Sequence, residues 1–198
     1  MSPGIDINFV REVYQRMSDS ELTRVLTQDA TGLTPEVLEI VKGEIQRRNL
    51  DPNISKGIAA QQKKHTLEEI DVYCNLIQNL PCPTTGSTST KLNATQTAEV
   101  ISFILFTNYK KKIIIGSPDA LDKANNIALA KTLLLGWWGI PWGIIRTIQA
   151  ILININNKRT NRLNEPNDFL RAFVVSKIGE IETYKDNRQK LTDIILGN

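Results

Sequence analysis

Few side chains in this chain of 198 residues carry reactive groups, and those present do not form a recognisable catalytic set. The thiols are those of Cys74 and Cys82, and the one imidazole is that of His65. Two thiols are too few for a four-ligand zinc site without other donors, and a lone histidine without a nucleophile beside it cannot complete a triad. The sequence also contains no glycine-rich phosphate loop. We therefore expect no enzymatic activity and no cofactor.

Cys82 belongs to one of two turns that flank a predicted β-hairpin. The turns are CPTTG at residues 82–86 and GSPDA at residues 116–120. A hairpin between two such turns has the layout of a zinc ribbon, in which two C-x-x-C turns bring four thiolates to one tetrahedral ion. The corresponding positions are Cys82, Thr85, Ser117 and Ala120. Because the last three lack a thiol, we expect no bound metal unless Cys74 or His65 enters the site from outside the turns.

The two turns and a later tryptophan-rich stretch together resemble a protein family. The chain resembles uncharacterised bacterial membrane-associated zinc-ribbon proteins, in which C-P-x-C-G and C-P-x-C flank the hairpin and W-W-G-I-P-W-G follows. Here GWWGIPWG occupies residues 136–143, and the resemblance covers roughly residues 80–150. It implies a degenerate ribbon, a scaffold that has lost its metal ligands and is held by packing of the hairpin. The residues available for this packing are Ile101, Phe103, Leu105, Ile113 and Ile115.

Residues 132–153 form an apolar stretch whose single charge is Arg146. A helix of this length could cross a hydrocarbon core of about 30 Å, but Pro141 and several glycines break its middle, and an arginine inside a bilayer costs roughly 2.5 to 3.5 kcal/mol. A monotopic arrangement, in which the chain dips in near residues 133–135 and turns near residues 139–143, avoids both problems. The alternatives are a pair of helices buried in a soluble core and a tryptophan cage for a ligand.

Basic residues lie on both sides of the apolar stretch. This distribution favours the cytoplasmic face of the inner membrane, opposite anionic lipid, and the alternative location is the cytoplasm. No signal peptide is recognisable in the first thirty residues, which also favours the cytoplasmic side. The residues expected at the membrane interface are Trp137, Trp138, Trp142, Arg146, Lys131, Lys158 and Arg159.

The N-terminal third of the chain is predicted to be helical. Residues 1–50 contain short apolar repeats with helix start signals at SDSE and TPE, which predicts a small unit of three helices. Residues 51–65 have turn residues, small residues and charge without a clear period, so they are predicted to be a linker. The linker separates the helical unit from a second module, residues 66–198.

The second module is predicted to contain both helices and strands. A helix begins at Thr66, and the hairpin has arms at residues 100–107 and 111–116, separated by the polar NYK. The apolar stretch follows, and a long amphipathic C-terminal helix begins after Pro166, either continuous or broken near Asp186. The predicted fold class is therefore mainly α with a small β-hairpin, an α+β arrangement.

Charge composition argues against nucleic acid as a partner. The 24 basic and 21 acidic residues give a net charge of +3, and the clusters YKKK and KRTNR have no interleaved aromatic or glycine pattern. We expect a non-enzymatic membrane-associated adaptor or scaffold. Its expected partners are the lipid bilayer and a protein, which could be a second copy of the chain. The alternative is a soluble protein-binding module, such as an inhibitor or immunity-type partner, whose apolar stretch lies in its core or in a protein interface.

Overall fold

The computed structural model describes residues 7–197, and the chain is mainly helical with one small antiparallel β-hairpin, as the sequence predicts. In unit 1, which takes in the chain up to Leu67 and Val175–Ile194, the helices are α1 (Ile7–Arg16), α2 (Asp19–Gln28), α3 (Pro35–Arg47), α4 (Ile54–Gln62), α9 (Ile178–Thr183) and α10 (Arg188–Leu196). In unit 2, which comprises Glu68–Val174 and the residues from Ile195 onward, the elements are α5 (Leu67–Gln78), β1 (Asn93–Phe103), β2 (Phe106–Gly116), α6 (Pro118–Leu135), α7 (Trp142–Asn157) and α8 (Asp168–Ser176).

Unit 1 consists of short helices around an apolar core. The predicted capping box begins α2, because the Ser18 hydroxyl accepts from the Glu21 N–H and the Glu21 carboxylate accepts from the Ser18 N–H. Thr34 is the N-cap residue of α3, and Pro35 occupies its first turn. These start signals place one apolar side of each helix inward. The core is formed by Tyr14, Leu22, Leu26, Ala30, Val37, Val41, Ile45, Ile54 and Ile58.

Residues 51–65 are not the predicted linker, because they contain α4 and contribute to the core of unit 1. Ile54 and Ile58 are buried. A Cβ atom at Gly57 would lie 2.4 Å from the carbonyl oxygen of Gly179, so α4 and α9 approach each other through their backbones. The sequence GIAAQQ does not indicate this contact, because the small residues that permit it produce little hydrophobic periodicity.

The C-terminal segment forms three helices, so the prediction of one long helix is wrong. The predicted break near Asp186 is present, since α9 ends at Thr183 and α10 begins at Arg188. A further break at Lys177 separates α8 from α9. Residues of α9 and α10, among them Ile181 and Leu191, are buried in unit 1, which is therefore built from both ends of the chain.

A buried ion pair ties α3 to α1. Glu44, which is 5% exposed, accepts hydrogen bonds from Arg47 and, at 2.5 Å, from Arg48 Nε. The Arg48 guanidinium also donates to carbonyl oxygens near the end of α1, those of Tyr14, Gln15 and Met17. The hydrogen bond from Arg47 outweighs the effect of burial and, together with Arg48, lowers the pKa of Glu44 to about 2. The ionised carboxylate is thus part of the native packing.

We expect Glu44→Gln to lower the free energy of unfolding of unit 1 by about 2 to 3 kcal/mol at pH 7, because Arg48 loses its buried counter-ion. A carboxyl whose native pKa is lowered stabilises fully above its ordinary value, here 4.5, and this contribution is lost as the pH falls towards about 2. Urea unfolding followed by circular dichroism across this pH range measures both effects.

The matched control for Glu44 is Glu39→Gln on the same helix. Glu39 forms an exposed ion pair with Lys42, and such pairs contribute about 0.5 kcal/mol or less. A Glu44 variant whose stability falls with acid as steeply as that of the wild type would contradict the assignment.

The hairpin of unit 2 is longer than predicted and turns at a different place. The register pairs Asn93 with Gly116 and Phe103 with Phe106, which leaves a two-residue turn at Ile104–Leu105. The predicted turn at NYK is wrong, because these residues lie within β2. A turn of two apolar residues lacks the glycine or asparagine by which two-residue hairpin turns are recognised.

Side chains from α6 and α7 satisfy the edge of β1 that β2 leaves free. The Asn154 amide on α7 accepts from the Ala98 N–H at 3.2 Å and donates to the Ala98 carbonyl at 2.7 Å. The Thr132 hydroxyl on α6 accepts from the Val100 N–H at 3.2 Å. Further amide donors to carbonyl oxygens of β1 come from Asn125, Asn157 and Asn167. These groups replace the third strand that the sheet lacks.

Asn154→Leu tests this arrangement, because leucine has a similar size but leaves the N–H of Ala98 buried without a partner and its C=O with only the Thr132 hydroxyl, at 3.4 Å. A buried N–H without a partner costs about 1 to 3 kcal/mol, so the free energy of unfolding of unit 2 should fall by about that amount. Asn156→Leu, at an exposed position on the same helix, should change it by less than about 0.5 kcal/mol. Equal effects of the two substitutions in urea unfolding would rule out the edge-satisfying role.

Candidate functional site

The helices α6 and α7 have small and polar residues on the side that packs inward. On α6 the buried residues are Leu121, Asn125, Ala128 and Thr132, and on α7 they are Gly143, Thr147, Ala150 and Asn154. The exposed large residues of the two helices are Ile127, Leu133, Leu134, Leu135, Trp142, Ile144, Ile145, Ile148, Leu152 and Ile155. A surface helix of a protein in water usually has the reverse distribution. Among residues 7–197, no helix has both the length and the apolar character needed to cross a bilayer.

The hairpin tip and the turn between α6 and α7 lie side by side, because Ile104 forms a β-bridge with Gly139. Their large side chains are open to solvent: Leu105 is 96% exposed, Ile104 80% and Trp138 67%. We call this surface the apolar end, and it consists of Phe103, Ile104, Leu105, Phe106, Trp137, Trp138, Ile140 and Trp142. An exposed apolar patch of this kind marks a contact site for a membrane or another protein.

The sequence GWWGIPWG forms a tight turn because its glycines lie where backbone and side chains meet closely. A Cβ atom at Gly136 would lie 2.1 Å from Thr147 Oγ1, and one at Gly139 would lie 2.6 Å from Thr107 Oγ1. With glycines at the inward positions, the tryptophans point outward, and Trp137 at 41% is the least exposed of the three. The stretch is therefore two helices joined by a turn at residues 136–141, and a buried helix pair in a soluble core does not describe it.

Arg146 lies one helical turn after Trp142 and next to the hairpin. Its guanidinium carbon is 5.2 Å from the ring centre of Tyr109, and the Lys111 ammonium is 5.5 Å from the same ring. Cations at these distances are attracted by the face of the ring. Arg146 also donates to the side-chain carbonyl of Gln149 at 2.9 Å. The predicted interface residue Arg146 thus lies beside the predicted tryptophans.

The other basic residues predicted at the interface occupy different places. Lys131 on α6 forms an ion pair with Glu99 at 3.1 Å. Lys158 and Arg159 follow the last residue of α7, about 18 Å from Arg146 along the helix axis. Lys158 donates to the side chain of Asn126. The structure therefore does not place Lys158 and Arg159 at the apolar end.

Sequence reasoning missed the contribution of the hairpin to this surface. It assigned Phe103 and Leu105 to packing within the hairpin, but both are exposed, and Ile113 is 37% exposed. Ile115 is buried as expected. The signal that could have indicated the tip is the run FILF at residues 103–106. These four apolar residues lie between polar residues, and no other apolar segment of the hairpin pairs with them.

The two turns that resemble zinc-ribbon knuckles meet at the other end of the hairpin. Cys82 Sγ lies 3.4 Å from the Ser117 backbone nitrogen and 3.5 Å from the Ser117 hydroxyl. A Cβ atom at Gly116 would lie 3.3 Å from Ala120 Cβ and 3.8 Å from Cys82 Sγ. The Thr85 side chain is also hydrogen-bonded to Cys82. All the ligand-like positions are therefore neighbours.

The donors at this junction do not fit zinc. Cys82 is the one thiol, and hydroxyl and methyl groups occupy the other three positions. In the described part of the chain, no group of three or more His, Cys, Asp or Glu side chains could hold a metal ion. His65 is instead hydrogen-bonded to the Ala60 carbonyl in unit 1, and Cys74 is buried in unit 2.

The two thiols have opposite electrostatic environments. Burial raises the pKa of Cys74 to about 12. Burial also acts to raise the pKa of Cys82, but hydrogen bonds from Ser117 and Thr85 outweigh it and lower this pKa to about 6. Donors directed at a sulfur favour its charged form. The junction that could bind a metal in a ribbon here stabilises a single thiolate.

Ser117→Ala should raise the pKa of Cys82, because it removes the hydroxyl nearest the sulfur. Because the native pKa lies below the ordinary value of 9.0, the thiolate stabilises unit 2 fully above pH 9, and this contribution is lost as the pH falls to about 6. Thiolate ultraviolet absorbance against pH, corrected with Cys82→Ser, measures the shift. Ser89→Ala, which removes an exposed hydroxyl bonded to Ser87, should leave the titration unchanged.

Comparison with other proteins assigns no function to these features. A scan against protein-family models, a search of curated proteins and a search of solved structures each gave no match. The assignment of a function therefore depends on the chemistry and geometry of this chain.

Proposed function

We propose that the chain is a non-enzymatic membrane-associated adaptor or scaffold and that the apolar end of unit 2 enters the interface of a bilayer. The observation that carries the proposal is the clustering of tryptophan, isoleucine, leucine and phenylalanine side chains, mostly more than half exposed, on two adjacent turns. Fully removing one such side chain from water contributes about 1.5 to 3 kcal/mol. Several of them together suffice to hold a folded unit at a membrane surface.

The inverted polarity of α6 and α7 supports the same proposal. In lipid, helices pack through small residues and polar side chains, and their apolar residues face outward. The inward residues Ala128 and Ala150 are small, while Thr132 and Asn154 are hydrogen-bonded to β1. On α7, Ile148 and Leu152 face outward. This arrangement fits apolar surroundings on the outside of the helices.

The distance between the tip and the nearest cations fits partial insertion. Trp142 and Arg146 are separated by about 6 Å along α7, and Phe106 and Tyr109 by about 10 Å along β2. Amphipathic elements that lie in a membrane interface bury their apolar side by about 5 to 10 Å. With the tip at that depth, Arg146 and Tyr109 reach the level of the lipid headgroups.

The adaptor part of the proposal is supported by the division of the chain into two compact units. Unit 2 carries the apolar end, and unit 1 has its own core of helices. One unit can therefore hold the membrane while the other binds a protein partner, which a second copy of the chain could be. We place the chain at the cytoplasmic face of the inner membrane, where anionic lipid meets the basic residues of unit 2.

Replacing Trp137, Trp138 and Trp142 together with alanine should release the chain from membranes and leave it folded, because the three side chains are exposed. A loss of about 1 kcal/mol of partitioning energy for each half-exposed tryptophan lowers membrane partitioning by about 100-fold in total. Fractionation of cells and flotation with vesicles of neutral lipid measure the release, and circular dichroism measures the fold.

The control variant for the tryptophans carries alanine at Leu67, Val72 and Leu163, which are exposed apolar residues outside the apolar end. Its partitioning should equal that of the wild type. A wild-type chain that stays soluble and does not float with vesicles would contradict the proposal and favour a protein-binding module. A triple tryptophan variant that loses its helical signal would show that these residues stabilise the fold instead.

A further inference from the structure

An open groove of about 760 Å³ lies at the apolar end, between the hairpin and the start of α7. Its apolar lining comes from Leu105 and Phe106 on one side and from Ile140 and Trp142 on the other. Sites of this volume hold ligands of moderate size, and apolar walls suit the upper part of a lipid acyl chain. The groove thus adds a defined shape to a surface that is otherwise only apolar.

The polar part of the same groove is cationic. Arg146 and Tyr109 both line it, and Lys111 lies beside the Tyr109 ring. In the part of the chain that the structure describes, neither Arg146 nor Lys111 forms an ion pair with a carboxylate. The chain contains no acidic residue between Glu99 and Asp119 or between Asp122 and Glu165. The groove therefore combines an apolar wall with the positive charge of Arg146, and Lys111 places a second positive charge beside the Tyr109 ring that lines it.

We infer that this groove binds an anionic phospholipid, with the Arg146 guanidinium on its phosphate and the beginning of an acyl chain along Trp142 and Phe106. A guanidinium presents paired N–H donors that match two phosphate oxygens. Lys111 adds a second positive charge, which favours a headgroup with net negative charge over one that carries its own ammonium group. This inference rests on the proposed membrane attachment and names the lipid that it selects.

The position of Arg146 on α7 agrees with this role. It follows Trp142 by one helical turn, so a side chain that anchors the phosphate stands directly behind side chains that enter the acyl region. The stacking on Tyr109 at 5.2 Å holds the guanidinium at the mouth of the groove rather than free in solvent. A cation whose position is already fixed loses little conformational freedom on binding a phosphate.

Flotation of the full chain with two kinds of vesicle tests the inference, one of phosphatidylcholine alone and one of phosphatidylcholine mixed with phosphatidylglycerol. The wild type should prefer the mixed vesicles, and Arg146→Gln should lower binding to them by about fivefold, the contribution of one basic residue near an anionic surface. Binding to pure phosphatidylcholine should change by less than about twofold, because the apolar end is intact.

The matched control is Arg159→Gln, which removes the same charge at the far end of α7. We expect a loss of less than about twofold for Arg159→Gln, because Arg159 lies farther from the inserted end than a Debye length of about 8 Å, and a loss equal to that of Arg146→Gln would overturn the inference. Arg146→Lys keeps the charge but removes the paired donors, so its binding to the mixed vesicles should lie between that of Arg146→Gln and that of the wild type. Binding equal to that of the wild type would indicate general attraction by charge and overturn the inference. Circular dichroism of each variant confirms that the fold is retained.

Two further outcomes separate the possible failures. If no variant and no wild-type chain floats with either vesicle, the proposed membrane attachment fails, and the lipid site fails with it. If the wild type floats equally with both vesicles, attachment stands and the anionic lipid site alone is wrong. Titration of tryptophan fluorescence with glycerol phosphate distinguishes the sources of phosphate. Saturable binding of this headgroup without an acyl chain would overturn the lipid assignment and indicate a soluble phosphate ligand.

Discussion

The free edge of β1 is the constraint on which unit 2 depends. A two-stranded hairpin is marginally stable by itself, and backbone groups buried without partners are costly. Here the outward N–H and C=O groups of Ala98 are both bonded to the amide of Asn154, and Thr132 serves Val100. The helices can deliver these groups only if their inward sides carry short polar and small residues. The composition of α6 and α7 thus follows from the hydrogen bonds that the sheet lacks.

The same requirement explains why the outside of unit 2 is apolar at one end. The side of α7 that holds Ala150 and Asn154 packs on the strand, so Trp142 and the exposed isoleucines of this helix lie on the other side. At the tip of the hairpin there is no helix left to cover Ile104 and Leu105, and they remain open. An interior rich in hydrogen bonds and an apolar exterior are stable together in surroundings with few competing hydrogen-bond donors. Under the proposed attachment, lipid provides such surroundings.

Sequence patterns predicted features that depend on local chemistry and missed those that depend on close packing. The capping box at Ser18 and the position of Pro35 in α3 are local, and both were predicted. The proximity of Cys82 and Ser117 agrees with the zinc-ribbon layout that the two turns flanking the hairpin suggest. Small residues such as Gly57 give no periodic signal, so α4 was predicted as a linker. The hairpin turn was misplaced because its residues, Ile104 and Leu105, are apolar and give none of the glycine or asparagine signals of a two-residue turn.

The division of unit 1 between the two ends of the chain has a consequence for synthesis. Domains fold as the chain emerges, with earlier segments complete first. Unit 2 is formed largely by the continuous segment Glu68–Val174, so it leaves the ribosome while unit 1 still lacks Val175–Ile194. The helices α2 and α4 must wait for α9, which packs against both of them. During that interval the nascent chain has a nearly complete unit 2 and an incomplete unit 1, and under the proposed attachment its apolar end can reach a bilayer before Val175–Ile194 has emerged.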